Sequence, residues 1–288
     1  MAASPIHIVF CGTSTFAVPS LQALINADDF VIDLVITQPD KPVGRKQILT
    51  PPAVKVLAEK HGLPIAQPSD INDFEMRTST FEFLITVSYG QRIGQQILTL
   101  PTRAPVNIHP SLLPQWRGAS PIQHAILAGD EETGVTIQRM VAALDAGPIL
   151  AQRSVRIGEN ETAAELHDRL AALSADLLPA TLRKPLKEQE QDETAASFCH
   201  KLAREDGNVD PHTMTAEEIH RHTRALVPWP GVTCKIDGKS IKLHETSLHP
   251  KENAIPLSCA ERTTLYLVQM QSPGGKVLTG EAWGRGKQ

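Results

Sequence analysis

Residues 6–11 form a nearly unbroken apolar run that stops at Gly12, and Thr13, Ser14 and Thr15 follow at once, ahead of an apolar stripe at Phe16, Val18, Leu21, Leu24 and Ile25. A run apolar on both faces suits a strand covered on both sides, as in a parallel sheet. Hydroxyls ahead of a three-to-four-residue period offer N-cap oxygens to a helix. The alternation then repeats. Strands are predicted over residues 31–37, 63–66, 83–88 and 106–109. Thr50-Pro51 is expected to cap and open a helix that runs to about Lys60 and stops at Gly62, and Ser120-Pro121 opens another that Gly129 ends. Residues 134–140 and 149–157 alternate and predict an antiparallel return, while Thr162 and Glu165 box the start of a long helix with Leu166, Leu170, Leu173 and Leu177 on one face. Strands alternating with helices in this way predict an open α/β sheet with crossover connections.

The pattern changes near Lys184. Residues 187–193 are polar, charged and without periodicity, which reads as a linker. The expected organisation is a catalytic domain over 1–186, a linker over 187–205 and a small β-rich domain over 206–288. In that last part Thr215 and Glu218 box a helix reaching about Leu226, Asp237-Gly238 marks a two-residue hairpin between residues 232–236 and 240–243, and a further strand is predicted over 263–270. The formal net charge of -4 does not mark a nucleic-acid binder, but it is unevenly spread: the chain from His220 onward carries +5 and the remainder -9. A basic piece on an acidic body is either a partner surface or a solvated face.

Four lone cysteines, Cys11, Cys199, Cys234 and Cys259, make no C-x-x-C pair and no finger-like spacing with His, so neither a zinc site nor a disulfide framework is expected. The N-terminus lacks a basic region followed by an apolar stretch, and no apolar run approaches the ~20 residues that span a bilayer. The expectation is a cytoplasmic protein without a membrane segment.

Chemistry-bearing residues concentrate in Val106-Asn-Ile-His-Pro-Ser-Leu-Leu-Pro-Gln-Trp-Arg-Gly-Ala-Ser-Pro121. Asn107 and His109 lie two apart on a predicted strand, so both side chains leave one face near its C-terminal end, where open α/β sheets bind ligands. An amide and an imidazole side by side can polarise a carbonyl and stabilise the oxyanion formed when it is attacked. A bare Asn-x-His is more often a strand-end Asn beside a hydrogen-bonded, partly buried His. Asp145, in Leu144-Asp-Ala-Gly-Pro148, is by itself an ordinary turn residue; carried back to His109, its carboxylate would orient the ring and favour its protonated form. Gln38-Pro-Asp-Lys-Pro-Val-Gly-Arg-Lys46 is a stiff basic loop that could hold a phosphate backbone or stand solvated. The turn Phe10-Cys-Gly-Thr13 has one glycine and no G-x-G-x-x-G, which disfavours a dinucleotide, and no G-x-S-x-G occurs.

Together these segments resemble the methionyl-tRNA formyltransferase family nearly end to end. The resemblance rests on Phe10-Cys-Gly-Thr13, Thr37-Gln-Pro-Asp-Lys-Pro-Val-Gly-Arg45, Pro52-Ala-Val-Lys-Val-Leu-Ala-Glu59, Asn107-Ile-His-Pro-Ser-Leu-Leu-Pro114, Trp116-Arg-Gly118, Ser120-Pro-Ile-Gln123, Glu132-Thr-Gly-Val-Thr136, Leu144-Asp-Ala-Gly147, Gln191-Asp-Glu-Thr194 and Pro228-Trp-Pro230. It implies a Rossmann-like, mostly parallel sheet domain and an OB-like C-terminal barrel. It implies transfer of a formyl group from 10-formyltetrahydrofolate to the amino group of initiator methionyl-tRNA, by a single chain that needs no metal. Asn107, His109 and Asp145 become the catalytic trio. Ser111, Leu112, Leu113 and Pro114, with Val87, Tyr89 and Gly90, become folate contacts, and Lys41, Arg45 and Lys46 tRNA contacts. The chain departs from the family pattern before Phe81, around Lys184 and after Gly275, where it follows only loosely, so the last barrel elements stay open. Rival readings keep the trio: a formyltransferase acting on a sugar nucleotide or glycinamide ribonucleotide, or a hydrolase releasing formate.

Overall fold

The computed structural model describes residues 4–44, 46–76, 78 and 80–286. It divides into two compact units: residues 1–117, 134–155 and 167–198 form the first, and 118–133, 156–166 and 199–288 the second. The family of elements in the first is α/β. Strands β1 (Ile6–Gly12), β2 (Phe30–Ile36), β3 (Ile65–Ala66), β4 (Phe83–Val87), β5 (Ala104–His109), β6 (Glu132–Arg139) and β7 (Ile149–Arg156) make one sheet in the order β7-β6-β5-β4-β1-β2-β3. The pairs β5–β4, β4–β1, β1–β2 and β2–β3 are parallel, and β6 runs antiparallel to β5. Every residue of β4 is buried, as are Ile8 to Gly12 of β1, which is why these strands read as unbroken apolar runs.

The sheet is wound outward from β1 in two directions. The chain goes β1, β2, β3 to one edge and then returns to place β4 on the other flank of β1. The loops after β1 and β4 therefore leave adjacent strand ends in diverging directions, the arrangement that opens a ligand crevice. Here the sequence reading of the first turn is corrected. No side chain caps the 3-10 turn Thr15–Ala17 or the helix α1 (Val18–Ile25) that continues it. The hydroxyls are used elsewhere: Thr13 Oγ1 donates to the Tyr89 carbonyl at 2.7 Å and Ser14 Oγ to Ser88 Oγ at 2.8 Å. A tie between the two loops outweighs the local cap.

The basic loop also has more order than its prolines suggested. Lys41–Val43 and Ile48–Thr50 pair as an antiparallel hairpin, with Lys41 opposite Thr50 and Val43 opposite Ile48. Thr50 is thus a strand residue whose Oγ1 donates to the Ile48 carbonyl, and helix α2 (Ala53–Lys60) starts after Pro52 without a side-chain cap. Pro supplies a helix-compatible start without needing one. Helix α3 (Pro121–Ala128) ends on Gly129 at φ +80, a left-handed cap that glycine adopts without strain. Thr162 and Glu165 form the expected box on α4 (Ala163–Leu182): Thr162 N and Oγ1 both donate to Glu165, and the Glu165 N–H donates to Thr162 Oγ1.

The second unit is β-rich. Strands β8 (Asn208–Val209), β9 (Val232–Ile236), β10 (Lys239–Ser247), β11 (Ile255–Ser258), β12 (Thr264–Gln271) and β13 (Val277–Thr279) pair in the order β8-β9-β10-β12-β11, with β13 added on β12. Asp237 and Gly238 both have positive φ, 49° and 73°, which matches the right-handed twist of the β9–β10 hairpin. Val232, Cys234, Ile241, Leu243, Leu265, Leu267 and Met270 turn inward and meet helix α5 (Ala216–Leu226), which presents buried Ile219, Ala225 and Leu226. Thr215 and Glu218 box its start as expected. The stretch after Gly275 is also part of this unit. Helix α6 (Gly280–Arg285) buries Trp283, whose Nε1 donates to Ser272 Oγ at 2.9 Å. On the β9–β10 hairpin Lys235 and Lys242 share a face with Thr233 and Ser240, because Thr233 pairs with Lys242 and Lys235 with Ser240. No helix among the described residues is long and apolar enough to cross a membrane.

Candidate active site

Strand β5 carries the Asn-x-His pair, and its antiparallel partner β6 decides what surrounds it. The register sets Asn107 opposite Gln138 and His109 opposite Thr136, so four polar side chains leave one face of the sheet. His109 is 4% exposed, Gln138 2% and Thr136 fully buried. Polar groups this deep require partners. His109 Nε2 lies 2.9 Å from the Trp116 carbonyl. A carbonyl only accepts, so the proton sits on Nε2. The other nitrogen, Nδ1, faces Asp145 Oδ2 at 3.7 Å. Both neighbours of the ring are acceptors.

Asp145 reaches this face from the turn after β6. Its φ is +51°, a conformation that short polar side chains tolerate and bulky ones do not. Its Oδ1 accepts from Gln138 Nε2 at 3.0 Å, and Asn107 Nδ2 stands 3.5 Å from the same oxygen. The last contact is long, which leaves the Asn107 N–H available to a substrate oxygen. Gly147 is fixed by close approach, since a Cβ there would run into the Arg139 carbonyl. The turn is also held from behind. Gln191 Nε2 donates to the carbonyls of Asp145 at 2.9 Å and Gly147 at 2.7 Å, while its Oε1 accepts from Arg117 Nε at 3.1 Å and Nη2 at 2.8 Å. The buried Arg117 guanidinium also grips Glu193, and that hydrogen bond holds the Glu193 carboxyl below its ordinary range. Residues 187–193, polar and aperiodic in sequence, thus contain a buried member of the Asp145 scaffold. Gln191→Leu strands two carbonyls and half the Arg117 partners, and is expected to cost about 2–4 kcal/mol. Urea unfolding of the variant checks this; a midpoint equal to wild type would mean the contacts are dispensable.

Asn107, Gln138 and Asp145 open on a cavity of about 550 Å³, walled also by Gln91, Arg92, Ile93 and residues 140–144. That volume is typical of small-molecule sites, and the mix of apolar wall and a few convergent polar groups is their usual chemistry. Gln91–Ile93, Met140–Leu144 and Gln138 were not singled out in the sequence. Only Gln138 left a trace there, as a polar residue at the inward phase of a buried strand.

The other sequence-predicted residues fall around this centre in different ways. Ser111 Oγ turns back to the Gln115 carbonyl at 2.6 Å. The loop it begins is fixed by Thr136, which donates to the Ser111 carbonyl and accepts from Leu113 N, and by Gln152, which donates to the Leu113 carbonyl. Leu113 is buried, Leu112 and Pro114 half-buried. Val87 is buried, and the Tyr89 ring lies in a core with Val9, Leu34, Ile71 and Ile93, while Gly90 is exposed at φ +86. Lys41 donates to Gln38 Oε1 and Lys46 is exposed on the basic hairpin. Asp40 beside them is engaged by Gln67 and Lys55, which hold its carboxyl below the ordinary carboxylate range. Arg45 lies outside the described residues. No group of three or more His, Cys, Asp or Glu that could hold a metal ion occurs among the described residues.

An amide and an imidazole beside a carboxylate, at the end of a parallel strand, are groups that can stabilise an oxyanion. The formyl transferase family profile matches residues 6–182, and that of the formyl transferase C-terminal domain matches residues 201–288. The chain belongs to the formyl transferase family. Within the family it is 39% identical over 293 residues to the methionyl-tRNA formyltransferase of Stutzerimonas stutzeri, covering 95% of this chain and 92% of that one. Its fold is that of an N-formyltransferase from Helicobacter canadensis, solved with folinic acid and dTDP-3-aminofucose (TM-score 0.69, 18% identity, 91% and 98% covered). It is also that of the methionyl-tRNA formyltransferase from Clostridium thermocellum (TM-score 0.59, 17% identity, 86% and 95% covered). The expected class, a formyl-transferring enzyme with a mostly parallel sheet unit and a β-rich C-terminal one, is thereby established.

Proposed function

We propose that this formyltransferase moves the formyl group of 10-formyltetrahydrofolate to the free amino group of initiator methionyl-tRNA, acting in the cytoplasm as a single chain. The observation that carries the chemistry is the grouping of Asn107, His109 and Asp145: Asn107 and His109 leave one face of β5, Asp145 stands within 3.7 Å of both, and Asn107 and Asp145 line the cavity. The substrate choice is supported by near full-length similarity to enzymes named for methionyl-tRNA and by the basic residues Lys41, Arg45 and Lys46 of the sequence 38–46.

The cavity suits a folate head group. Ile93, Met140, Val141 and Leu144 offer apolar surface to the faces of a heteroaromatic ring, and the Gln91 amide offers it a hydrogen bond. The segment Val87, Tyr89, Gly90 leads into Gln91–Ile93, and Ser111, Leu112, Leu113 and Pro114 form the stiff loop that follows His109. 10-Formyltetrahydrofolate supplies an activated formyl carbon. As the amine attacks, negative charge develops on the formyl oxygen, and the Asn107 Nδ2–H and His109 Nδ1–H meet it. Asp145 stands beside the ring and orients it. The attacking nitrogen loses one proton, through water or Asp145, and the folate N10 gains one as its bond to the formyl carbon breaks.

The deciding assay is labelled formyl transfer from 10-formyltetrahydrofolate to charged initiator tRNA, with free formate measured in parallel. Labelled formylmethionyl-tRNA is expected; formate alone would make the protein a hydrolase, and transfer only to an amino-sugar nucleotide would replace the tRNA reading. For the basic segment 38–46, Arg45→Ala is expected to raise KM for charged tRNA roughly tenfold, the worth of a phosphate or base-edge contact, with KM for the folate nearly unchanged. Equal KM values for tRNA would remove the segment from the tRNA site.

A further inference from the structure

We propose that Gln138 is the positioning residue of this site: its amide fixes the plane of the Asp145 carboxylate, so that one carboxylate oxygen faces His109. The inference rests on the formyl-transfer reading above and deepens it. A carboxylate on a turn rotates about its last bond with a broad, two-fold preference, so something must choose its orientation. Gln138 Nε2 holds one oxygen of Asp145 at 3.0 Å, and the carboxylate plane fixed in this way turns the other oxygen toward His109 Nδ1, 3.7 Å away. The choice is enforced from the Gln138 side as well. The residue is 2% exposed, and its Oε1 is buried without a hydrogen-bond partner among the described groups. Turning the amide over would press Oε1 against Oδ1, two acceptors in contact, so the donor end is the end that points at Asp145.

The placement follows from strand pairing. Gln138 lies directly across from Asn107 in the β5–β6 register, and both line the cavity with Asp145. The side chain that offers its N–H to the substrate and the one that orients the carboxylate are thus a cross-strand pair, and both reach the same oxygen of Asp145. Gln191 fixes the backbone of Asp145, which places the residue but leaves its carboxylate free to rotate. The two glutamines therefore act on different degrees of freedom. Of the titratable groups around the cavity, His109 faces the carboxylate and Arg92 lies in the wall.

The test uses the full chain with Gln138→Met, which keeps length and volume and removes the donor, and Gln138→Glu, which replaces the donor with a carboxylate. Gln138→Met is expected to lower kcat about tenfold, the loss of one hydrogen bond to a charged group, with KM for the folate and tRNA nearly unchanged. In Gln138→Glu two carboxylates share one contact and cannot both ionise, so the acidic limb of the kcat profile is expected to move to higher pH. A purely structural role would lower the melting temperature and leave that limb in place. The imidazole ¹⁵N signals of His109, recorded without substrates, give a reading independent of activity and are expected to move in both variants. Wild-type protein that forms no formylmethionyl-tRNA would refute the reaction assigned above while the ¹⁵N signals still judge Gln138. Unmoved signals, with a wild-type pH profile wherever transfer is measured, would overturn the proposal.

Discussion

Asn107→Ala and His109→Ala are each expected to lower kcat for formyl transfer by about 10²–10³, the usual loss when one donor to a developing oxyanion is removed. Binding of tRNA and folate should survive. The two side chains leave the same face of one strand, and of the two only Asn107 touches the cavity, most of whose wall is Gln91–Ile93 and Met140–Leu144. Asn107 holds nothing in place that the fold needs: its one contact to Asp145 is 3.5 Å long. His109 is different, because its Nε2–H satisfies the buried Trp116 carbonyl. His109→Ala should therefore also lose stability, by about 1–3 kcal/mol for the stranded acceptor and the vacated volume. Single-turnover rates separate the two effects, since they are read on folded, substrate-saturated enzyme. If either variant turns over near the wild-type rate, the pair does not stabilise the reacting oxygen.

Much of this site was legible because its residues obey local rules. Two polar side chains at i and i+2 must share a face of a strand, and Gly134 to Met140 alternates as a return strand should. The doubly covered strands β1 and β4 announced themselves as apolar runs, and the boxes at Thr162 and Thr215 cap the helices they were expected to cap. What stayed hidden depends on tertiary contacts. Thr13 and Ser14 look like cap residues, yet their hydroxyls bind the loop after β4, 74 to 76 residues away in the chain. Gln191 sits in a polar stretch whose composition says linker, and only the fold brings its amide to the Asp145 turn. The cavity wall 140–144 is a turn of small and aliphatic residues with no periodicity, so no pattern could mark it. The basic hairpin was visible as charge but not as strands, because Pro42 and Gly44 read as breakers.

Asp145→Asn is expected to keep the fold and abolish most of the activity. Asparagine accepts a positive φ at least as readily as aspartate, so the +51° turn is not strained by the change. The new side chain can still accept from Gln138 through its oxygen, which keeps the orientation. Its amide nitrogen then faces His109 Nδ1, where a carboxylate oxygen stood 3.7 Å away. An amide nitrogen donates, so Nδ1 must become the acceptor, while Nε2 keeps the proton that the Trp116 carbonyl holds. The ring ends neutral, with its only N–H turned away from the cavity. The substrate oxygen then finds Asn107 alone, and any proton that left the amine through the carboxylate loses its acceptor. Together these losses should lower kcat by about 10²–10⁴. The melting temperature should stay near that of wild type, and so should the affinity for folate. A variant that retains the wild-type rate and pH profile would reduce Asp145 to a turn residue, and the mechanism would have to do without a charged partner for His109.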